Sequence, residues 1–315
     1  MNFINLMSIS SLLATNNIEN VEISDKPKNV PLHWSNVGVA SSFILINGFI
    51  SFWLNLRLEK SLFISSIRCL VQLTIMGLIL EDVFKARHPF VVMTMIFVLI
   101  FLAANEVSYN KSRKRHTGMF FSVLVSLTLS TLTIGIIGSR YALSQVPFWE
   151  PQVFIPTMGM LLGNCMSTVA VGNSYALGQF SEQRENIEMY LAFGASRWEA
   201  GRPVAVEAIR LAMLPIINSM SIIGLISIPG MMTGQIIGGA PIMDAVKYQQ
   251  IIMFMISASS ALGVLTTICV CVFTCIDGSH RLRTERITKS KPWIYAKKDD
   301  LISGIRNSLC CGKSK

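Results

Sequence analysis

The chain is predicted to be an all-α polytopic membrane protein with about seven spans and a charged cytosolic helix between spans five and six. Three observations carry that prediction. First, 51% of the 315 residues are hydrophobic, only 14% are charged, and the mean hydropathy is +0.52. Second, nearly uncharged runs of 18 or more residues recur, each long enough to cross a hydrocarbon core of roughly 30 Å. These runs lack the short alternation of a membrane barrel, so helices must satisfy their own backbone hydrogen bonds. Third, one strongly charged stretch, residues 181–215, interrupts the apolar pattern.

Taken in order, residues 1–33 read as a polar extracytosolic tail. The first span runs from about Trp34 to Leu56, with Trp34 and Trp53 as interface anchors. Arg57–Lys60 is a tight basic turn, and the second span covers about Leu62–Val83. The third, about Pro89–Val107, ends on Asn105-Glu106 and is followed by the cluster Lys111–Arg115. The fourth is Met119–Ser139 and the fifth about Val153–Tyr175. A sixth is expected to start near Ile209, with interruptions at Pro215 and at Pro229-Gly230, and the seventh spans about Ile251–Ile276. The domain plan is therefore a permease-like body over 34–276, including the charged segment 181–208, and a basic cytosolic tail over 277–315.

Charge distribution sets the topology. Arg57, Lys60, the 111–115 cluster, the arginines of the insert and the basic tail all fall on one side. The other side carries the sparser Lys26, Lys28, Lys85, Arg87, Arg140 and Lys247. The positive-inside bias puts the insert and the carboxyl end in the cytosol and the amino end outside. It also accounts for the net charge of +9 without nucleic acid as a partner. Which membrane holds the protein is not written in the sequence. The tail, with Cys310-Cys311, is solvated, lies on anionic lipid, or carries an acyl chain.

Within the insert, Ile187, Tyr190, Leu191 and Gly194 share one helix face, and Gly194 reads as a helix stop. Ser196 and Glu199 have the S-x-x-E spacing of a capping box that opens the next helix. Helix, turn, helix is either a solvated loop or a docking surface, and the pattern favours docking.

Inside the spans, Arg68 and Glu106 are expected to pair near the cytosolic boundary, because an unpaired charge there is expensive; the alternative is that Arg68 snorkels. Gly159-x-x-x-Gly163 and Gly230, Gly234 and Gly238 read as stripes for close helix packing. Asn164, Ser167 and Thr168, with Asn218, Ser219 and Gln235, are candidates to line a cavity, and Met231 and Met232 join them beside the Pro229-Gly230 break. The abundant methionines suit soft metals but also fill gaps, so a metal site stays unknown. Cys271 and Cys275 share a face and read as packing residues. No histidine falls in a span centre for haem ligation, and there is no H-E-x-x-H motif. Gly312-Lys313-Ser314 ends like a phosphate loop, but Asn307 stands where its first Gly belongs, so the chain is expected to bind no cofactor and hydrolyse no ATP of its own.

The motifs MLLGNCM (160–166), LAFGASRWEAGRP (191–203), LPIINSM (214–220), IGLISIPGMMTGQIIGG (223–239) and YQQIIMFM (248–255) resemble the FetB-type permeases. Those are described as membrane subunits of an iron-export ABC transporter in bacteria, with plant relatives linked to aluminium tolerance. The likeness covers roughly 35–276, and R-x-x-x-Q-L at Arg68–Leu73 belongs to it. It implies a helical homodimer in lipid, coupled to a separate ATP-binding-cassette subunit that uses the ATP. It further implies that Glu188, Leu191, Gly194, Ala195, Arg197, Trp198 and Glu199 form the coupling element. Leu214-Pro215 lies farther from Gly194 than the E-A-A-x3-G loop of ABC importers would have it, so that analogy is distant. The competing reading is a scaffold, or an ATP-independent channel, that recruits a soluble partner through 181–203.

Overall fold

The computed structural model describes residues 34–56, 58–86, 88–112, 114–278, 281–283 and 287–288. Expectations for the tail 1–33, for Arg57, Arg87 and Arg113, and for most of 284–315 lie outside the described residues. Nine helices are present among them: α1 (Trp34–Trp53), α2 (Glu59–Ala86), α3 (Pro89–Asn105), α4 (Met119–Ile137), α5 (Pro151–Glu182), α6 (Arg184–Ala192), α7 (Arg197–Ile222), α8 (Gly230–Ile237) and α9 (Ile242–Cys275). All but α6 and α8 supply the seven stretches long and apolar enough to cross a membrane. One two-stranded antiparallel pair, β1 (Arg115–His116) with β2 (Ile287–Thr288), is described besides.

The described chain divides into two compact units. The first holds α1, α2 up to Thr74, and residues Gly234–Pro241. Its hairpin is fixed at the turn: Ser51 donates from Oγ to Glu59 Oε1 at 3.3 Å and accepts from Leu58 N–H at 3.1 Å. Phe43, Phe49, Phe63, Ile64 and Leu73 are all exposed, as side chains facing acyl chains are.

In the second unit α5 and α9 form the axis. α9 packs on α4, α5 and α7, α5 also meets α3, α4 and α7, and α3 touches α4. At 1.5 Å per residue their 32 and 34 residues extend about 48 and 51 Å, beyond a hydrocarbon core of roughly 30 Å. Both are longer than a span perpendicular to the membrane needs. The core between them is Phe154, Leu161, Cys165, Val169, Ala176 and Phe180 of α5 against Ile252, Val264, Ile268, Cys271 and Val272 of α9. Methionines fill the gaps where helices meet: Met158 sits over Gly135 and Met255 over Gly138. Cys271 and Cys275 are buried with their sulfurs 4.0 Å apart, in keeping with packing.

Two expectations are corrected. Pro215 does not interrupt the sixth span. α7 runs unbroken from Arg197 through Pro203 and Pro215, starting three turns before the expected Ile209, and the break comes only at Ile223–Pro229. Ser219 Oγ donates back to the Pro215 carbonyl at 2.8 Å, the i to i−4 bond usual for a serine inside a helix. The glycine stripes are the second correction. A Cβ on Gly159, Gly163, Gly230 or Gly234 would meet nothing within 4 Å, so these residues mediate no close approach within the described chain. The tight contacts fall on glycines outside the stripes. A Cβ on Gly263 of α9 would overlap Cys165 Sγ and lie 3.1 Å from Ser130 Oγ, and one on Gly201 of α7 would lie 2.8 Å from Val272 Cγ1.

Candidate functional site

The charged insert folds as a sharp corner. α5 ends at Glu182 and α6 follows after Gln183, so the two helices are almost contiguous. α6 then stops because Gly194 adopts φ +89°, a left-handed conformation that costs an L side chain energy but glycine nothing. Gly194 N–H bonds the Leu191 carbonyl and Ala195 N–H the Tyr190 carbonyl, both at 3.1 Å, so the orphan carbonyls of the last turn are satisfied. α7 opens with a full capping box. Ser196 Oγ accepts from Glu199 N–H at 3.3 Å, and Ser196 N–H donates to Glu199 Oε2 at 2.8 Å.

Burial sorts the corner's residues into two jobs. Ile187 and Leu191 are buried in the bundle core and fasten α6 to it, as do Ala200 and Val204 at the start of α7. Glu188 is held by Arg184 at 2.7 Å on the outer side. Met189, Tyr190, Phe193 and Trp198 are exposed, with Phe193 at 83%. Arg197 turns inward, its guanidinium within 3.0 Å of where a Cβ on Gly278 would stand. Of the expected coupling residues, then, Leu191 holds the corner in place, while Gly194 and Glu199 shape it and Glu188 and Trp198 form its surface.

The candidate pathway residues do not converge on one cavity. Ser167 of α5 accepts from Lys111 Nζ at 3.3 Å and lines an open groove of about 630 Å³ with Lys114, Ser174 and Glu182. Asn164 is exposed one turn away and donates to the Met160 carbonyl at 2.9 Å. Met232 lines a different cavity, of about 440 Å³, between the end of α7, the 223–229 break and the early turns of α9. Asn218 and Ser219 are exposed on α7 and line neither. Met231 is half-buried on α8, and Gln235 belongs to the other compact unit. Arg68 is exposed on α2 in the first unit; Glu106 begins a π-helical turn, Glu106–Lys111, and accepts from Asn110 Nδ2 at 2.6 Å. Among the described residues no cluster of His, Cys, Asp and Glu could hold a metal ion.

Several polar groups inside the bundle escaped sequence reasoning. Asn173 is fully buried on α5 with both amide atoms unpartnered among the described residues, as are Ser259 Oγ, Ser260 Oγ and Gln249 Oε1 on α9. Gln249-Gln250 is a polar doublet in an otherwise apolar run, the one signal that marked it in advance. His116 is buried on β1 with neither ring nitrogen partnered among the described residues, and burial pushes its pKa down to about 4.

Residues 34–276 match the family described as Uncharacterised protein family (UPF0014). The chain belongs to this family. It is 31% identical over 232 residues to the UPF0014 membrane protein YjkA of Bacillus subtilis, covering 73% of this chain and 90% of that one. To the probable iron export permease protein FetB of Escherichia coli it is 32% identical over 242 residues, 76% and 89% of the two chains. To Protein ALUMINUM SENSITIVE 3 of Arabidopsis thaliana it is 26% identical over 242 residues, 76% and 86%. No solved structure matches. The chain is an integral, multi-pass membrane protein of a family that includes permeases, and its expected kinship with FetB-type permeases holds.

Proposed function

We propose that this chain is the permease subunit of an ABC-type transporter. In this reading a separate ATP-binding subunit supplies the energy and docks on the α6–α7 corner, and two copies of the chain form the pore. The observation that carries it is the corner itself. It is a rigid turn, capped on both sides and fastened by Ile187 and Leu191, that presents Tyr190, Phe193 and Trp198 beside Glu188 at the end of helices longer than a perpendicular span needs. Exposed apolar groups rimmed by charge, outside the lipid, mark a protein-docking surface. Rigidity matters because a force applied at the corner then reaches α5 and α7 directly instead of being lost in a flexible loop.

The positive-inside bias supports a cytosolic corner and carboxyl end with an extracytosolic amino end. The names of the relatives from Escherichia coli and Arabidopsis support a metal ion, or a related small solute, as cargo. The deciding experiment is a pull-down of the full chain in mild detergent, read by mass spectrometry, with and without residues 185–203 replaced by a neutral linker. An ATP-binding-cassette protein recovered only with the intact segment is the expected result. Folded protein that captures no such ATPase sinks the permease reading and favours the scaffold or ATP-independent channel.

A further inference from the structure

At the end of α7 away from the corner, the backbone leaves the helix at Ile223, turns through Gly224 at φ +91° and re-enters a helix at Gly230. This break and the early turns of α9 enclose the cavity of about 440 Å³. Its wall carries the thioethers of Met220, Met232 and Met253, the ring of Phe254, and the amides of Gln249 and Gln250. Among the described residues, no Asp, Glu, His, Cys, Lys or Arg lines it. Gln249 is only 7% exposed, and its Oε1 has no hydrogen-bond partner among the described residues. A buried acceptor left without a donor is unfavourable, so the described wall is short of one.

These features select a ligand class. A bare hard cation wants six or more oxygens with carboxylates among them, and the described wall offers only a few neutral oxygens, of Ser227, Gln249 and Gln250. Thioethers alone suit a soft ion, but a single ion leaves most of the volume empty and gives Gln249 Oε1 no proton to accept. A mostly apolar cavity with a few polar groups, within the range of about 300–1,000 Å³, is what small organic ligands occupy. Thioethers also make favourable contacts with ring edges, and their flexible stems adapt to different bodies. We propose that this cavity binds an uncharged organic molecule with a ring-like apolar body and at least one O–H or N–H, which donates to Gln249. The proposal rests on the permease reading, taken with a small organic solute rather than a metal ion as the cargo held at the end of α7 opposite the ATPase.

The test is photolabelling of the full-length chain in lipid nanodiscs with an uncharged diazirine-bearing phenol, followed by peptide mapping. Label is expected to concentrate in 220–232 and 246–254, and Gln249→Leu is expected to lower it at least fivefold in protein that stays monodisperse. Met253→Trp, which fills the cavity without touching the amide, should abolish that labelling and serves if Gln249→Leu fails to fold. Label spread evenly over lipid-facing peptides of α1 and α2, or unchanged in either variant, overturns the proposal. The labelling needs no ATPase, so a failed pull-down leaves this result standing. Failed labelling likewise leaves the docking corner untouched.

Discussion

The buried seam between α5 and α9 and the corner between α6 and α7 are built from the same helical framework by opposite means. In the seam, cohesion comes from tightly packed apolar side chains closed around a bare position: Gly263 lets α9 approach Cys165 and Ser130, and Cys165 Sγ reaches the Ser259 carbonyl at 3.6 Å. At the corner, cohesion comes from local hydrogen bonds at Gly194, Ser196 and Glu199, with Ile187, Leu191, Ala200 and Val204 reaching into the core. Lipid offers no hydrophobic drive between helices, so shape and close contact must hold the seam. Water competes at the corner, so caps contribute there only locally. Damage to the seam should therefore unfold the bundle, and damage to the corner should impair docking in a bundle that survives.

The sharpest way to break that comparison is Gly263→Leu. A branched side chain has to displace Cys165 and Ser130 together, and overpacking of this kind costs about 3 kcal/mol. We expect loss of the monodisperse species after mild heating in detergent. A Gly263→Leu protein as heat-resistant as the parent would show that the seam is loose.

The second test lies at the charged-side end of the bundle, where β1 meets α9. Burial holds the His116 pKa at about 4, against 6.5 for a free imidazole, so the unfolded chain takes up the proton first as pH falls. Stability is therefore complete above about pH 6.5 and declines as pH drops toward 4, by about 2 kcal/mol at pH 5. His116→Leu should remove that slope in a thermal-unfolding series across pH. An unchanged slope would assign the acid sensitivity to other groups.

How much of this was legible beforehand follows from the same contrast. The corner could be read because its determinants are local: Gly194 needs a positive φ, and Ser196 with Glu199 needs only its own spacing. The spans were legible from hydropathy, although their ends were set short where α5, α7 and α9 run on as helix past the uncharged stretch. The seam was not legible. Gly159-x-x-x-Gly163 matches a packing motif yet meets nothing among the described residues, while Gly263 and Gly201, which belong to no glycine repeat, carry the contacts. Spacing along one helix cannot say which partner lies opposite. The cavity was half legible: Met232 and the Pro229-Gly230 break were singled out, but Gln249 became informative only once burial left its oxygen without a donor.

Ser196→Ala gives a smaller effect than either test above. Loss of the cap costs about 1 kcal/mol, confined to the first turn of α7 because Ala200 and Val204 remain buried beyond it. The expected signature is faster amide exchange at 196–199 and weaker capture of the ATP-binding protein, with the heating profile of the bundle unchanged. Equal losses of heat resistance and capture would make the corner part of the seam.

The smallest effect belongs to Gly159→Ala. Its Cβ meets nothing within 4 Å, and alanine is the better helix former, so heat resistance should stay within about 0.5 kcal/mol of the parent or rise slightly. That small number separates two accounts of the open face of α5. If the face only meets lipid, one methyl changes nothing further, and chemical cross-linking between copies is the same in variant and parent. If a second copy packs there, as the permease reading requires of some surface, the methyl pushes the two backbones apart and cross-linking falls while each chain remains folded. A drop in cross-linking without a drop in heat resistance would place Gly159 and Gly163, which meet nothing within 4 Å among the described residues, between two chains.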